Sequence, residues 1–268
     1  MHIRDLTAHS RPRAFRPLLK VPEVTVYFWI IKLLSTAMGE STSDYLVYQI
    51  NPYVAVGVAC IALAIALLLQ FLGRGYVAWR YWLAVAMVAV FGTMAADVLH
   101  KVIGISYLVS TIFFAVILCI VFITWYTSER TLSIHTVYAG RRELFYWATV
   151  IATFALGTAA GDLIASTLGL GYFPSIVLFA ILFVIPAVGY WKFGLNAIFA
   201  FWFAYVVTRP LGASVADWLG KPYLGGLGWG DEKVAPVLTI LIIGFVAYLT
   251  VTRKDRIEER PTRGSAYR

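Results

Sequence analysis

The chain alternates long apolar runs with short polar breaks, and the runs have the length of helices that cross a bilayer. Val54–Phe71, Ser106–Trp125 and Tyr172–Trp191 are almost wholly apolar, and a span needs roughly 20 such residues. The pattern predicts spans over 24–48, 52–72, 79–100, 106–127, 143–166, 172–191, 195–220 and 233–252. Each is expected to be helical, because an open strand in lipid leaves its backbone groups unsatisfied. The predicted fold class is all-α, a polytopic membrane protein with eight transmembrane helices.

The odd-numbered spans repeat one another. Aligned on one tryptophan, they read Phe28-Trp29, Tyr81-Trp82, Tyr146-Trp147 and Phe201-Trp202. Ten residues later stand Gly39, Gly92, Gly157 and Gly212, and fifteen later Asp44, Asp97, Asp162 and Asp217. Four ungapped copies of aromatic-Trp-x9-Gly-x4-Asp imply four tandem two-helix units with parallel repeats. The expected segmentation is a basic cytoplasmic arm (1–20), units at 21–73, 74–128, 129–193 and 194–252, and a tail (253–268). Along a helix, Trp to Asp spans about 22 Å, so Trp is expected near one membrane face and Asp toward the other. The glycine is expected to allow close helix approach, and the tryptophan to be a membrane-interface anchor or a packing wedge.

Composition strengthens the membrane reading. Of 268 residues, 60% are hydrophobic and 13% charged, about half the charged share of a soluble domain. The net charge of +8 is a topology signal. Seventeen Lys and Arg fall on the side of the termini, three (Lys101, Lys221, Lys233) on the other, and Lys32 and Arg209 inside spans. The positive-inside rule then puts both termini in the cytoplasm, with the basic side against membrane lipid. Nucleic acid is not an expected partner. The polar start offers no short apolar core of a signal peptide. Cys60 and Cys119, inside spans, are expected to be small packing residues.

Charges inside spans are costly and point to function. The carboxylates are Glu40, Asp44, Asp97, Asp162 and Asp217, and the fixed cations Lys32 and Arg209. Their excess of negative charge suits a bound cation or shared protons. Ending at each Asp, an i, i+4 stripe runs Lys32-Thr36-Glu40-Asp44 in unit one and Tyr205-Arg209-Ala213-Asp217 in unit four. Thr93 and Thr158 take the matching places in units two and three, and Ser43 and Ser214 add polar support. The stripes predict an outward-facing acidic vestibule of four Asp, with a deeper polar route along spans one and seven. Glu40 and Asp44 are the expected partners of Lys32 and Arg209. Pro210 is expected to kink its span and free the carbonyl of Val206. His100 is expected to be interfacial. The competing reading is that these polar groups merely tie helices together.

Other chemistry lacks its residues. Gly225–Asp231 is rich in glycine but no GK[ST] follows, so it is no phosphate cradle. Gly228-x-Gly230-Asp231 echoes an intramembrane protease element without its partner motifs. No HExxH, GxSxG or CxxC occurs. No enzyme activity and no cofactor are expected.

Val21-Pro22-Glu23-Val24-Thr25, Met38-Gly39-Glu40-Ser41-Thr42-Ser43-Asp44 and Thr208-Arg209-Pro210-Leu211-Gly212-Ala213-Ser214 carry a resemblance over residues 20–252. The chain resembles a family of bacterial integral membrane proteins defined by a tandem repeat of unknown function. That resemblance implies a bacterial plasma membrane and supplies no substrate. From the charges, the expected function is transport of a small cation, a divalent metal ion exchanged against protons. Glu40, Asp44, Asp97, Asp162 and Asp217 would serve as ligands or proton carriers, and Lys32 and Arg209 as gate or counter-ions. The alternatives are an organic or anionic solute held by Lys32 and Arg209, or a non-transporting scaffold or receptor. An assembly of identical chains is compatible with either.

Overall fold

The computed structural model describes residues 18–256. Most of the basic arm and tail therefore lies outside the described residues. The chain forms eight long helices: α1 (Val26–Gln49), α2 (Pro52–Leu72), α3 (Ala78–Asp97), α4 (Tyr107–Glu129), α5 (Arg141–Asp162), α6 (Tyr172–Phe193), α7 (Ala197–Gly220) and α8 (Asp231–Thr252). Their bounds match the predicted spans to within a few residues. Side-chain caps set several starts: Thr25 accepts from the Phe28 N–H, Ser106 from Val109, and Asn196 from Ile198 and Phe199. Asn51 caps α2, whose first residue is Pro52. A π-helical turn extends α3 (Val98–Val102) and another α5 (Leu163–Thr167), each directly after the repeated Asp.

Seven of these helices, all except α1, are long and apolar enough to cross a membrane. The chain is thus a multi-pass membrane protein. The apolar count falls one short of the predicted eight because α1 carries Lys32, Glu40 and Asp44.

The odd-numbered helices form a closed ring, α1 against α3, α3 against α5, α5 against α7, and α7 against α1. The even-numbered helices lie outside it. α2 packs on α3, α4 on α5, α6 on α7, and α8 on α1. Each outer helix thus leans mainly on the ring helix that follows it, and α8 closes the circle. The sequence repeat fixes the unit but not this shift of partner.

Contacts between ring helices repeat like the sequence. Phe28 meets Trp82, Tyr81 meets Trp147, Tyr146 meets Trp202, and Phe201 meets Trp29, with centroids 5.6, 5.6, 6.1 and 5.8 Å apart. The tryptophans are therefore packing wedges rather than interface anchors, and Trp82 and Trp147 are buried. Each repeated glycine faces the residue seven places after the next tryptophan. Gly39 faces Ala89, Gly92 faces Phe154, Gly157 faces Arg209, and Gly212 faces Thr36. A Cβ on Gly92 would lie 2.8 Å from that of Phe154, so only glycine permits this helix spacing.

The outer helices bury one stripe, Ala55, Ala59, Leu63 and Ala66 on α2, and expose Val54, Val58, Ile61 and Ile65, as a lipid-facing helix should. Cys60 and Cys119 lie on exposed faces, not in the packed interior that the sequence suggested.

Lys20 also departs from expectation. Counted with the basic arm, it is fully buried. Its ammonium donates to the carbonyls of Gln70 (2.7 Å) and Gly73 (2.6 Å) and pairs with Glu143 at 3.2 Å. A cation there satisfies carbonyls left open at the end of α2.

Candidate functional site: a ladder of charge inside the ring

The ring interior is layered. Nearest the ends of the described segment lie the aromatic residues around the repeated Trp. Three residues beyond Trp come Lys32, Val85, Val150 and Tyr205. Seven beyond come Thr36, Ala89, Phe154 and Arg209; eleven beyond, Glu40, Thr93, Thr158 and Ala213; fifteen beyond, the four Asp. Each layer takes one residue from each ring helix, so a side chain long enough to reach the axis meets all of its neighbours.

Arg209 does so. Its guanidinium leaves α7 and donates to Glu40 Oε2 on α1 (2.6 Å), Thr158 Oγ1 on α5 (2.7 Å) and Thr93 Oγ1 on α3. It also reaches the carbonyl of Thr36 at 3.4 Å. Thr93 and Thr158 spend their own hydrogens on the carbonyls of Ala89 and Phe154 one turn back, which leaves lone pairs to accept from arginine. Arg209 is buried completely and Glu40 almost so. Thr36 ties the same level together by donating to the carbonyls of Leu33 and Thr208. α7 runs unbroken through Pro210, with no break in the helix at the predicted kink.

Lys32 has a different setting from the one expected. Its ammonium lies 4.0 Å from the Phe154 ring centroid and 4.3 Å from that of Tyr205, and it makes no hydrogen bond. Neither Glu40 nor Asp44 pairs with it: Glu40 is taken by Arg209, and Asp44 by Lys221.

Lys221 is the residue the sequence reading missed. It follows α7 by one residue, and its Nζ stands 2.8 Å from Asp44 Oδ2 and 2.7 Å from Asp217 Oδ1. It stood in the sequence one turn after Asp217, where the i, i+4 stripe continues. Burial opposes its charge, but Asp217, Asp44 and Glu40 outweigh this and hold its ammonium well above the ordinary lysine range. Over it folds the glycine-rich loop. The N–H groups of Leu227, Trp229 and Gly230 donate to the carbonyls of Trp218, Leu219 and Gly220, closing the end of α7. Beside this loop, Tyr45, Tyr48, Lys221, Tyr223, Asp231 and Glu232 line a polar cavity of about 250 Å³.

Three of the five ring carboxylates, Glu40, Asp162 and Asp217, come together, and the four Asp do not form an open vestibule. Asp44, Asp97 and Asp217 are buried, and Asp162 is half-buried. Asp162 lies within electrostatic reach of Glu40, Asp217, Asp97 and Lys221. One oxygen each from Glu40, Asp162 and Asp217 fall within 4.8 Å of one another. Three oxygens from three helices make a hard-ligand set. Ser43 and Ser214 are buried. His100 does not join. Its ring bonds to the carbonyl of Ile105 (2.7 Å) and to Ser110 Oγ (3.0 Å) and lies tilted against the Tyr107 ring at 3.9 Å.

Comparison with curated proteins and with solved structures finds no match to this chain. Comparison with protein families finds four consecutive matches to one repeat, at residues 27–76, 80–131, 145–194 and 200–255. Each covers one ring helix and the outer helix that follows it. The chain belongs to the family defined by the Repeat of Unknown Function (DUF347).

Proposed function

We propose that this protein transports a small hard cation, a divalent metal ion such as Mg²⁺ or Mn²⁺, in exchange for protons across a bacterial inner membrane. The single observation that carries the reading is the convergence of Glu40, Asp162 and Asp217 inside a closed helix ring. Buried carboxylates without enough counter-charge are expensive in a membrane. Five ring carboxylates face three basic side chains, Lys32, Arg209 and Lys221. Two further positive charges neutralise the set, supplied by one divalent ion or by two protons. Alternation between those two states is what an exchanger requires. Arg209 and Lys221 stand on ligand oxygens and so act as tethered competitors that keep the cluster stable between cargoes. On this reading α1 is an eighth span, tolerated because it is enclosed by α3, α7 and α8, and both termini are cytoplasmic. The chemistry calls for binding groups and proton carriers, not for a catalytic nucleophile, and no enzyme activity is proposed.

The test is flux in proteoliposomes across a panel of divalent cations, with an internal pH dye. Wild type should move one ion and protons in opposite directions, and Glu40→Gln/Asp44→Asn should move neither. Folded wild type that moves no cation would remove this reading and favour an organic solute or a scaffold.

A further inference from the structure

The aromatic half of the ring is closed to ions, yet it contains hydroxyl groups that its packing does not require. The repeat itself provides the comparison. Immediately before Trp, α1 and α7 carry Phe28 and Phe201, whereas α3 and α5 carry Tyr81 and Tyr146. Three residues after Trp, α3 and α5 carry Val85 and Val150, whereas α7 carries Tyr205. Equivalent places thus pack without oxygen. The three hydroxyls nevertheless gather on the neighbouring helices α3, α5 and α7, on side chains with no solvent exposure.

They form a series. Tyr81 and Tyr146 share a short hydroxyl–hydroxyl hydrogen bond. The Tyr205 hydroxyl interacts with Tyr146 but completes no hydrogen bond of good geometry, and Lys32 lies over the Tyr205 ring at 4.3 Å. At the other end, Tyr76 packs edge-on against Tyr81, with centroids 5.8 Å apart, and its hydroxyl donates to Asp255. Tyr76 is half-buried and lies where the two ends of the described segment, near Leu19 and Asp255, meet. A buried amine without a hydrogen-bond partner therefore stands at one end of the series, and a buried carboxylate bonded to a half-buried tyrosine at the other.

We propose that Tyr205, Tyr146 and Tyr81 carry protons between Lys32 and the Tyr76–Asp255 pair. The inference rests on the exchange reading and supplies its proton route. When a cation enters the carboxylate cluster, the added positive charge beside Arg209 expels the proton of Lys32. The Lys32 ammonium swings from the Tyr205 ring face to the hydroxyl of the same ring; its N–H bond breaks as a bond forms to that oxygen, which passes its own hydrogen to Tyr146. Tyr146 passes its hydrogen to Tyr81, Tyr81 passes its own to the Tyr76 hydroxyl, and Tyr76 passes its own to the Asp255 carboxylate, with which it already shares a hydrogen bond. Each hydroxyl oxygen gains one hydrogen and loses one, Lys32 becomes a neutral amine, Asp255 becomes a carboxylic acid that gives its proton to water, no electrons are transferred, and hydroxyl rotation resets the series. Phe28 and Phe201, apolar at the same level, confine the proton to this side of the axis.

The test is Tyr146→Phe, which removes one oxygen and keeps the ring. Metal and proton movement are recorded together in proteoliposomes, and binding of Mn²⁺ is titrated in detergent. The expected result is unchanged Mn²⁺ affinity, with both fluxes slowed by roughly a hundredfold, as for loss of a positioned proton-transfer group. Phe201→Tyr, which adds a hydroxyl off the series, should not restore flux to that variant. Wild-type proton flux in Tyr146→Phe would overturn the route. Metal flux without protons in wild type would overturn the route and leave cation transport standing. No flux of either kind in wild type would overturn both.

Discussion

Arg209 of α7 and Glu40 of α1 meet at 2.6 Å on the axis of the helix ring, both shielded from solvent. The pair joins the first and last units of the chain and brings in Thr93 and Thr158 from the other two. Removing one partner leaves a buried charge alone, which costs about 3–5 kcal/mol. Arg209→Met should therefore lower the melting temperature sharply in detergent. Arg209→Met/Glu40→Gln should recover most of that loss, because no charge is then stranded, while transport stays abolished. Equal melting of the single and double variants would show that the two residues are not coupled.

Gly212 and Gly244 are both helical, and only the first is enclosed. A side chain on Gly212 collides with Thr36, whereas Gly244 has open space around it. Gly212→Leu should destabilise by at least about 1–3 kcal/mol through overpacking, and Gly244→Ala should be neutral or mildly stabilising. Thermal melts of the two purified variants decide the matter.

Lys221 bridges Asp44 and Asp217 and competes for the oxygens that would hold a metal ion. Lys221→Gln should tighten Mn²⁺ binding by roughly tenfold, the effect of about 1.4 kcal/mol of relieved competition. It should also slow turnover, since the returning empty cluster loses its counter-charge. Weaker binding in this variant would mean that Lys221 holds the ligands in place instead of competing with cargo.

Lys20 and Arg74 test which basic residues are structural. Lys20→Met strands Glu143 against Gln70 in a buried site and should cost about 3–5 kcal/mol. Arg74 is exposed, and Arg74→Ala should stay within about 0.5 kcal/mol of wild type. Comparable melting of both variants would contradict the buried role of Lys20.

Hydropathy located every long helix, since apolar runs bounded by Thr25, Asn51, Ser106 and Asn196 specify both length and start. The Trp–Gly–Asp spacing located the carboxylates and the close approach of the ring helices, because residues at one register of parallel helices share one depth. Partner choice was less legible. Glu40 and Asp44 were offered jointly to Lys32 and Arg209, and only the Glu40–Arg209 pair forms; the stripe was followed to Asp217, one turn short of Lys221. Lys32 was expected beside a carboxylate, because sequence cannot show that Phe154 and Tyr205 from two other helices enclose it. Lys20 looked like part of an arm, since only folding brings it to the end of α2. The openness of the acidic end was misjudged for a similar reason: the loop that closes α7 is read from its backbone bonds, not from its glycines.

The Glu23 N–H donates to the Asp255 carbonyl at 2.9 Å, so the two ends of the described chain touch where α8 completes the circle on α1. The architecture therefore has no intrinsic beginning. Which of its four seams carries the break is a matter of gene order, not of packing. A circular permutant opened between α2 and α3, with its original ends joined through a linker replacing the residues outside 18–256, should fold to the same ring. In it Arg209 would reach Glu40 across a continuous stretch of chain, and the same transport should follow.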